Sequence, residues 1–77
     1  MLKRERMARN FIKSYGFTRF LQLLTMFQQG LSGPEIGKKF NVSRERVRQW
    51  KKAFGETIVT YNIYPEVIEQ YKNFENN

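Results

Sequence analysis

The sequence predicts a small, mainly α-helical domain: a core of three helices, an extra N-terminal helix, one short extended or β segment and a C-terminal helix. Three observations carry that expectation. Apolar residues recur at three- and four-residue steps between Phe17 and Phe27; Ser32 and Ser43 each stand at a well-formed helix start; and only residues 56–64 are rich in β-branched and aromatic side chains.

In chain order, Leu2 to Ser14 is compatible with a helix, with Met7, Phe11 and Ile12 on one side and Tyr15 following, and Gly16 ends it. Thr18 can cap a second helix running to about Gln29. Its apolar arc of Phe17, Phe20, Leu21, Leu24 and Phe27, widened by Leu23 and Met26, makes it the central core helix. Ser32, Pro34 and Glu35 then form a capping box: the serine hydroxyl accepts from the amide of residue 35, and the Glu35 carboxylate reaches back to the amide of residue 32. That short helix ends near Phe40, because Asn41 tolerates the left-handed conformation and Ser43 caps the next helix, Arg44 to about Phe54. Gly55 stops it. "ETIVTYNIY" reads as one strand or extended segment, and Pro65 opens a final helix with Val67, Ile68, Tyr71 and Phe74 on one stripe. No internal repeat or linker divides the chain, so residues 1–77 are expected to form a single domain.

Composition narrows the function. With 77 residues only a small core is available, which leaves oligomerisation open as a source of stability. The chain has no Cys and no His, and all of its acidic residues are Glu. Disulfides, thiolate metal sites and imidazole chemistry are therefore absent, and an enzyme, a metal site or a cofactor is not expected. Charged residues interrupt the first ten positions, and the apolar-leaning stretch from Phe17 to Phe27 is too short to span a bilayer, so the chain reads as soluble and cytoplasmic. A net charge of +7 and a pI near 10.1 point to a polyanionic partner. The charge is concentrated in the middle: Lys38, Lys39, Arg44, Arg46, Arg48, Lys51 and Lys52 stand against Glu35 and Glu45, whereas residues 62–77 are acidic on balance.

Two short helices joined by a tight turn form a helix-turn-helix, whose second helix can enter the DNA major groove. The first helix must offer an apolar residue and, beside it, a small one where the chain crosses closely; the turn must bend sharply and carry an apolar plug. Ile36, Gly37, Phe40, Asn41 and Val42 fill those roles, and Val47 and Trp50 form the inward face of the second helix. The unit spans 33–54, with a C-terminal extension over 56–77.

"LSGPEIGKKFNVSRERVRQWKKAF", about 24 of 77 residues, resembles the general bacterial helix-turn-helix pattern. Within it, "IGKKFNVSRERVRQ" resembles the promoter-reading module of primary sigma factors, although Trp50 stands where that module carries a smaller aliphatic residue. The resemblance implies that the start and outward face of the second helix read bases, which maps to Ser43, Arg44, Glu45, Arg48 and Gln49, with Lys52 one turn later. Their chemistry suits base recognition, since Arg can grip guanine O6 and N7, Gln can do the same with adenine, and Glu can accept from cytosine N4. Lys38, Lys39, Arg46 and Lys51 are better placed for phosphates.

Double-stranded DNA is thus the expected partner, and the expected function is that of a small bacterial, phage or mobile-element transcriptional regulator. Two alternatives use the same fold: a protein-interaction module that binds RNA polymerase or another regulator, and a DNA-end-binding subunit of a recombination complex. Each charged residue also has a plainer role open to it, as a solvated face with Glu45 paired to Arg48. Lys3, Arg4, Arg6 and Arg9 fit either a minor-groove arm or a solvated helix. The segment 57–74 is expected either to pack on the helical core or to form a two-fold homodimer seam, which would set two reading helices about 34 Å apart.

Overall fold

A computed structural model describes residues 2–75, with side chains described as far as residue 73. Five helices and one hairpin follow in order: α1 Lys3–Tyr15, α2 Phe17–Gln28, α3 Gly33–Phe40, α4 Arg44–Phe54, β1 Gly55–Thr57, β2 Tyr61–Ile63 and α5 Pro65–Glu75. The fold is mainly α, as the periodicity predicts. Helices α2, α3 and α4 make the tri-helical unit; α1 packs on α2, α4 and α5, while the hairpin lies against α4 and α2.

The first junction corrects the expected cap. Thr18 does not cap α2: Gly16 holds the N-cap position with φ 96° and ψ 160°, and α2 begins at Phe17. Gly16 closes both helices at once, its N–H donating to Ile12 O at 2.8 Å and its C=O accepting from Phe20 N–H at 3.2 Å. A positive φ of this kind is open to glycine, so the reversal needs no polar cap.

The next two helix starts follow the sequence. Ser32 Oγ accepts from Glu35 N–H at 3.3 Å and Ser43 Oγ from Arg46 N–H at 3.2 Å. Only this half of the expected box at Ser32 is present among the described hydrogen bonds. Asn41 takes the left-handed conformation (φ 57°, ψ 47°), which turns the chain between α3 and α4. Gly37 is where the turn comes closest: a Cβ there would lie 2.7 Å from Val42 O.

The core is one cluster in which aromatic rings dominate. Phe11 from α1 meets Trp50 edge-on at 4.9 Å and Phe40 at 5.7 Å, and Phe20 meets Phe54 at 5.4 Å. Phe20, Leu23, Ile36, Val47, Phe54 and Val67 are fully buried. In α2 the innermost aliphatic is Leu23, whereas Leu21, expected on the inward stripe, is half-buried. Arg19 ties α2 to the end of α3, donating to Lys39 O at 2.9 Å with its guanidinium 4.5 Å from the centre of the Phe40 ring.

After α4 the structure departs from the expected single strand. Residues 55–63 fold back on themselves, with Gly55 opposite Ile63, Glu56 opposite Asn62 and Thr57 opposite Tyr61. Gly55 is also not the left-handed stop that its place after α4 suggests: its backbone is extended, and glycine is needed because a Cβ would meet Asn62 O and the Tyr61 ring. The end of α4 is capped instead by Tyr61, whose hydroxyl donates to Lys51 O at 2.7 Å. Burial pushes the Tyr61 phenol well above the usual tyrosine range, with Tyr64 adding to the shift, so it stays a neutral donor.

Helix α5 packs on α1, in line with a segment that covers its own core. Its buried face is rotated from the expected stripe: Val67 and Gln70 are buried, Tyr71 stacks on Phe17 at 5.3 Å, and Ile68 is exposed. Gln70 takes the inward place through a side chain whose stem is apolar. The expectation for the Phe74 side chain lies outside the described residues.

Candidate nucleic-acid interface

Helix α4 is amphipathic in the sense the turn requires. Val47, Trp50 and Phe54 face inward, so the opposite side, Glu45, Arg48, Gln49 and Lys52, faces solvent. The Ser43 cap fixes where α4 starts and hence which residues point outward. Ser43→Ala is expected to cost about 1 kcal/mol and to fray the first turn, which thermal melting followed by circular dichroism would measure.

The six residues expected at base edges lie on or beside this outward face, and all are exposed. Two are already occupied with each other. Arg48 binds Glu45 through two hydrogen bonds, Nε to Oε2 at 2.9 Å and Nη2 to Oε1 at 2.6 Å. The bond to Arg48 holds the Glu45 carboxyl below the usual carboxylate range, and Glu45 in turn raises the Arg48 guanidinium. Both side chains are more than half exposed, so water and salt screen the pair and another acceptor can displace Glu45. The Ser43 hydroxyl accepts its cap bond and keeps its own proton to donate.

The four residues expected at phosphates do not form one cluster. Lys51 shares two surface grooves with Arg48, one towards α3 and one towards the hairpin. Lys39 instead lines a groove with Arg19 between α2 and α3, away from α4. Lys38 and Arg46 are exposed and line none of these.

Sequence reasoning missed a third groove beside α4. Lys3, Arg4 and Met7 of α1 join Arg48, Gln49, Lys52, Ala53 and Tyr64 there. The N-terminal basic residues are therefore not an extended arm. They sit on a helix, and Arg4 is anchored by Glu66 at 3.4 Å and by the Tyr64 ring, 4.0 Å to its centre. The surplus of positive charge in the first ten residues is visible in the sequence, but its place beside α4 depends on α1 packing across the molecule.

No group of three or more potential metal-ligating side chains occurs among the described residues. Among them, no helix is long and apolar enough to cross a membrane.

Residues 21–57 match a family model described as a helix-turn-helix domain. The match runs from within α2 through α3, the turn and α4 to the end of β1, so it covers most of the tri-helical unit and leaves out the first turn of α2 together with α1, β2 and α5. It is to the general helix-turn-helix and does not extend to the sigma-factor module. No curated protein and no solved structure matches the chain.

Proposed function

We propose that the chain binds double-stranded DNA in a sequence-specific manner, with α4 in the major groove, and acts as a small transcriptional regulator of bacterial, phage or mobile-element type. The observation that carries this reading is the outward face of α4: Arg48, Gln49 and Lys52 project from a helix whose other side is locked into the core and whose start is fixed by the Ser43 cap. In a helix-turn-helix, which as a class points to DNA binding, that face meets base edges.

In this reading Ser43, Arg44, Glu45, Arg48, Gln49 and Lys52 contact bases, and Lys38, Lys39, Arg46 and Lys51 contact phosphates. Glu45 holds the Arg48 fork splayed before DNA arrives, and guanine O6 and N7 then take over both hydrogen bonds. Selection of the purified protein against random duplex DNA at near-physiological salt tests it. Enrichment of a motif is expected, with Arg48→Ala losing about tenfold to a hundredfold at that motif and relaxing its preference. Lys51→Ala is expected to weaken all duplexes nearly alike. Uniform loss in both variants would remove Arg48 from the base-reading set.

One observation favours a second reading, in which α4 binds RNA polymerase or another regulator: Arg48 already holds a carboxylate, as it would on an acidic protein surface. Duplex binding without enrichment, lost at physiological salt, would support it.

A further inference from the structure

Among the described residues, the large apolar side chains left exposed are Leu2, Ile58, Val59 and Ile68. Ile58 and Val59 are the extreme cases, 75% and 91% exposed at the tip of the hairpin. Nothing local favours them there. Tight turns use Gly, Asn, Asp or Pro, and the loop Ile58–Val59–Thr60 has none; it is held by Ile58 N–H and Asn62 Nδ2, both donating to Thr60 O, at 3.2 and 2.9 Å. A loop that breaks the turn rules to display two branched aliphatics marks a place where contact outweighs local preference.

The same chain carries a matching recess. Leu21 and Leu24 of α2, Ile63 at the base of the hairpin, and Ile68 and Tyr71 of α5 line a groove of about 280 Å³, which the uncharged polar Thr25 and Gln28 complete. A shallow recess of this size suits a short apolar knob. No lining residue is charged, in a chain where 27% of residues are charged.

We infer that the chain forms a two-fold dimer in which the Ile58–Val59 tip of each copy seats in the Leu21, Leu24, Ile63, Ile68 and Tyr71 groove of the other. Self-complementarity selects this occupant: the exposed apolar tip and the uncharged recess are both on this chain. A net charge of +7 opposes association through the basic faces, and a contact between tip and groove avoids them. DNA is the weaker candidate for the tip: the hairpin's charged side chain is Glu56, and a minor-groove wedge between phosphates is flanked by cations.

Geometry allows the contact to close. Tip and groove mark opposite ends of one hairpin, with Ile63 at the base and Ile58 and Val59 beyond the Thr57–Tyr61 pair. Two hairpins set antiparallel about a two-fold axis bring each tip to the other's base, an isologous contact that does not propagate. None of the groove residues belongs to α4, so its outward face remains free.

The mass measurement needs no DNA, so it stands or falls apart from the function proposed above. Light scattering on the eluting 77-residue chain, over a range of micromolar concentrations, should give twice the monomer mass of 9.3 kDa at the upper end. Val59→Glu and Ile68→Lys change exposed positions and should each give a monomer with unchanged helix content. Combined in one chain they should restore the dimer, because each copy then presents a carboxylate to an ammonium at both contacts. A wild type that stays monomeric throughout, or single variants that stay dimeric, would overturn the assignment. A wild type that is monomeric, and whose duplex affinity falls on the charge-neutral change Val59→Ser, would overturn it in favour of the tip touching DNA.

Discussion

Gly55→Ala lowers stability by about 3 kcal/mol, measured as a fall in the urea midpoint at unchanged slope. The added Cβ meets two obstacles, and neither is the free end of a flexible chain: the backbone carbonyl of Asn62 across the hairpin, and the Tyr61 ring, 2.7 Å away at its nearest atom. Tyr61 cannot swing aside without giving up its hydroxyl bond to Lys51 O, which terminates α4. A domain of this size has about 3–5 kcal/mol from its core, so the variant would keep only about 0–2 kcal/mol and would be up to about half unfolded near room temperature. Gly33→Ala is the matched control. Its Cβ would find Arg44 Cβ at 3.7 Å, an ordinary contact, at the first position of α3, and it should be neutral or slightly stabilising. Equal loss in both variants would mean that flexibility, and not space, is what Gly55 contributes.

Trp50→Ala should be as severe, at about 3–5 kcal/mol. Trp50 is only 5% exposed and lies edge-on to three rings from two helices, Phe11 at 4.9 Å, Tyr15 at 5.6 Å and Phe40 at 5.8 Å. Its removal leaves a void at the meeting point of α1, α3 and α4, where no smaller neighbour can close it. Trp50→Phe, which keeps part of the ring packing, should lose less than half as much. Far-ultraviolet circular dichroism through a thermal melt measures both. A Trp50→Ala protein that melts like the wild type but loses DNA would move Trp50 from the core to the interface.

What is legible in the sequence is what depends on neighbours a few residues away. The caps at Ser32 and Ser43, the left-handed Asn41, the small Gly37 beside the turn and the Glu45–Arg48 pair all follow from local spacing. The departures have tertiary causes. The hairpin is hidden because Ile58, Val59 and Thr60 carry strand chemistry through a turn, and its register depends on Gly55 fitting beneath Tyr61. Gln70 reads as an outer residue because its amide outweighs its stem in any periodicity count, yet α1 fixes the face that α5 buries. At the candidate interface, the outward face of α4 can be read from Val47, Trp50 and Phe54 alone. Lys3 and Arg4 cannot, since only the docking of α1 brings them alongside.

The tie between α1 and α5 also sets the order in which the molecule can be completed. Arg4 and Glu66 are 62 positions apart, and α1 packs against α5 along a shared face. Phe11 reaches Phe40, Trp50 and Phe54 across shorter stretches of chain than the 62 positions between Arg4 and Glu66. Val67, fully buried, has to wait for the last helix. Of these contacts the closure of α1 on α5 spans the longest loop and carries the largest loop-entropy cost, so it is the one expected to form late.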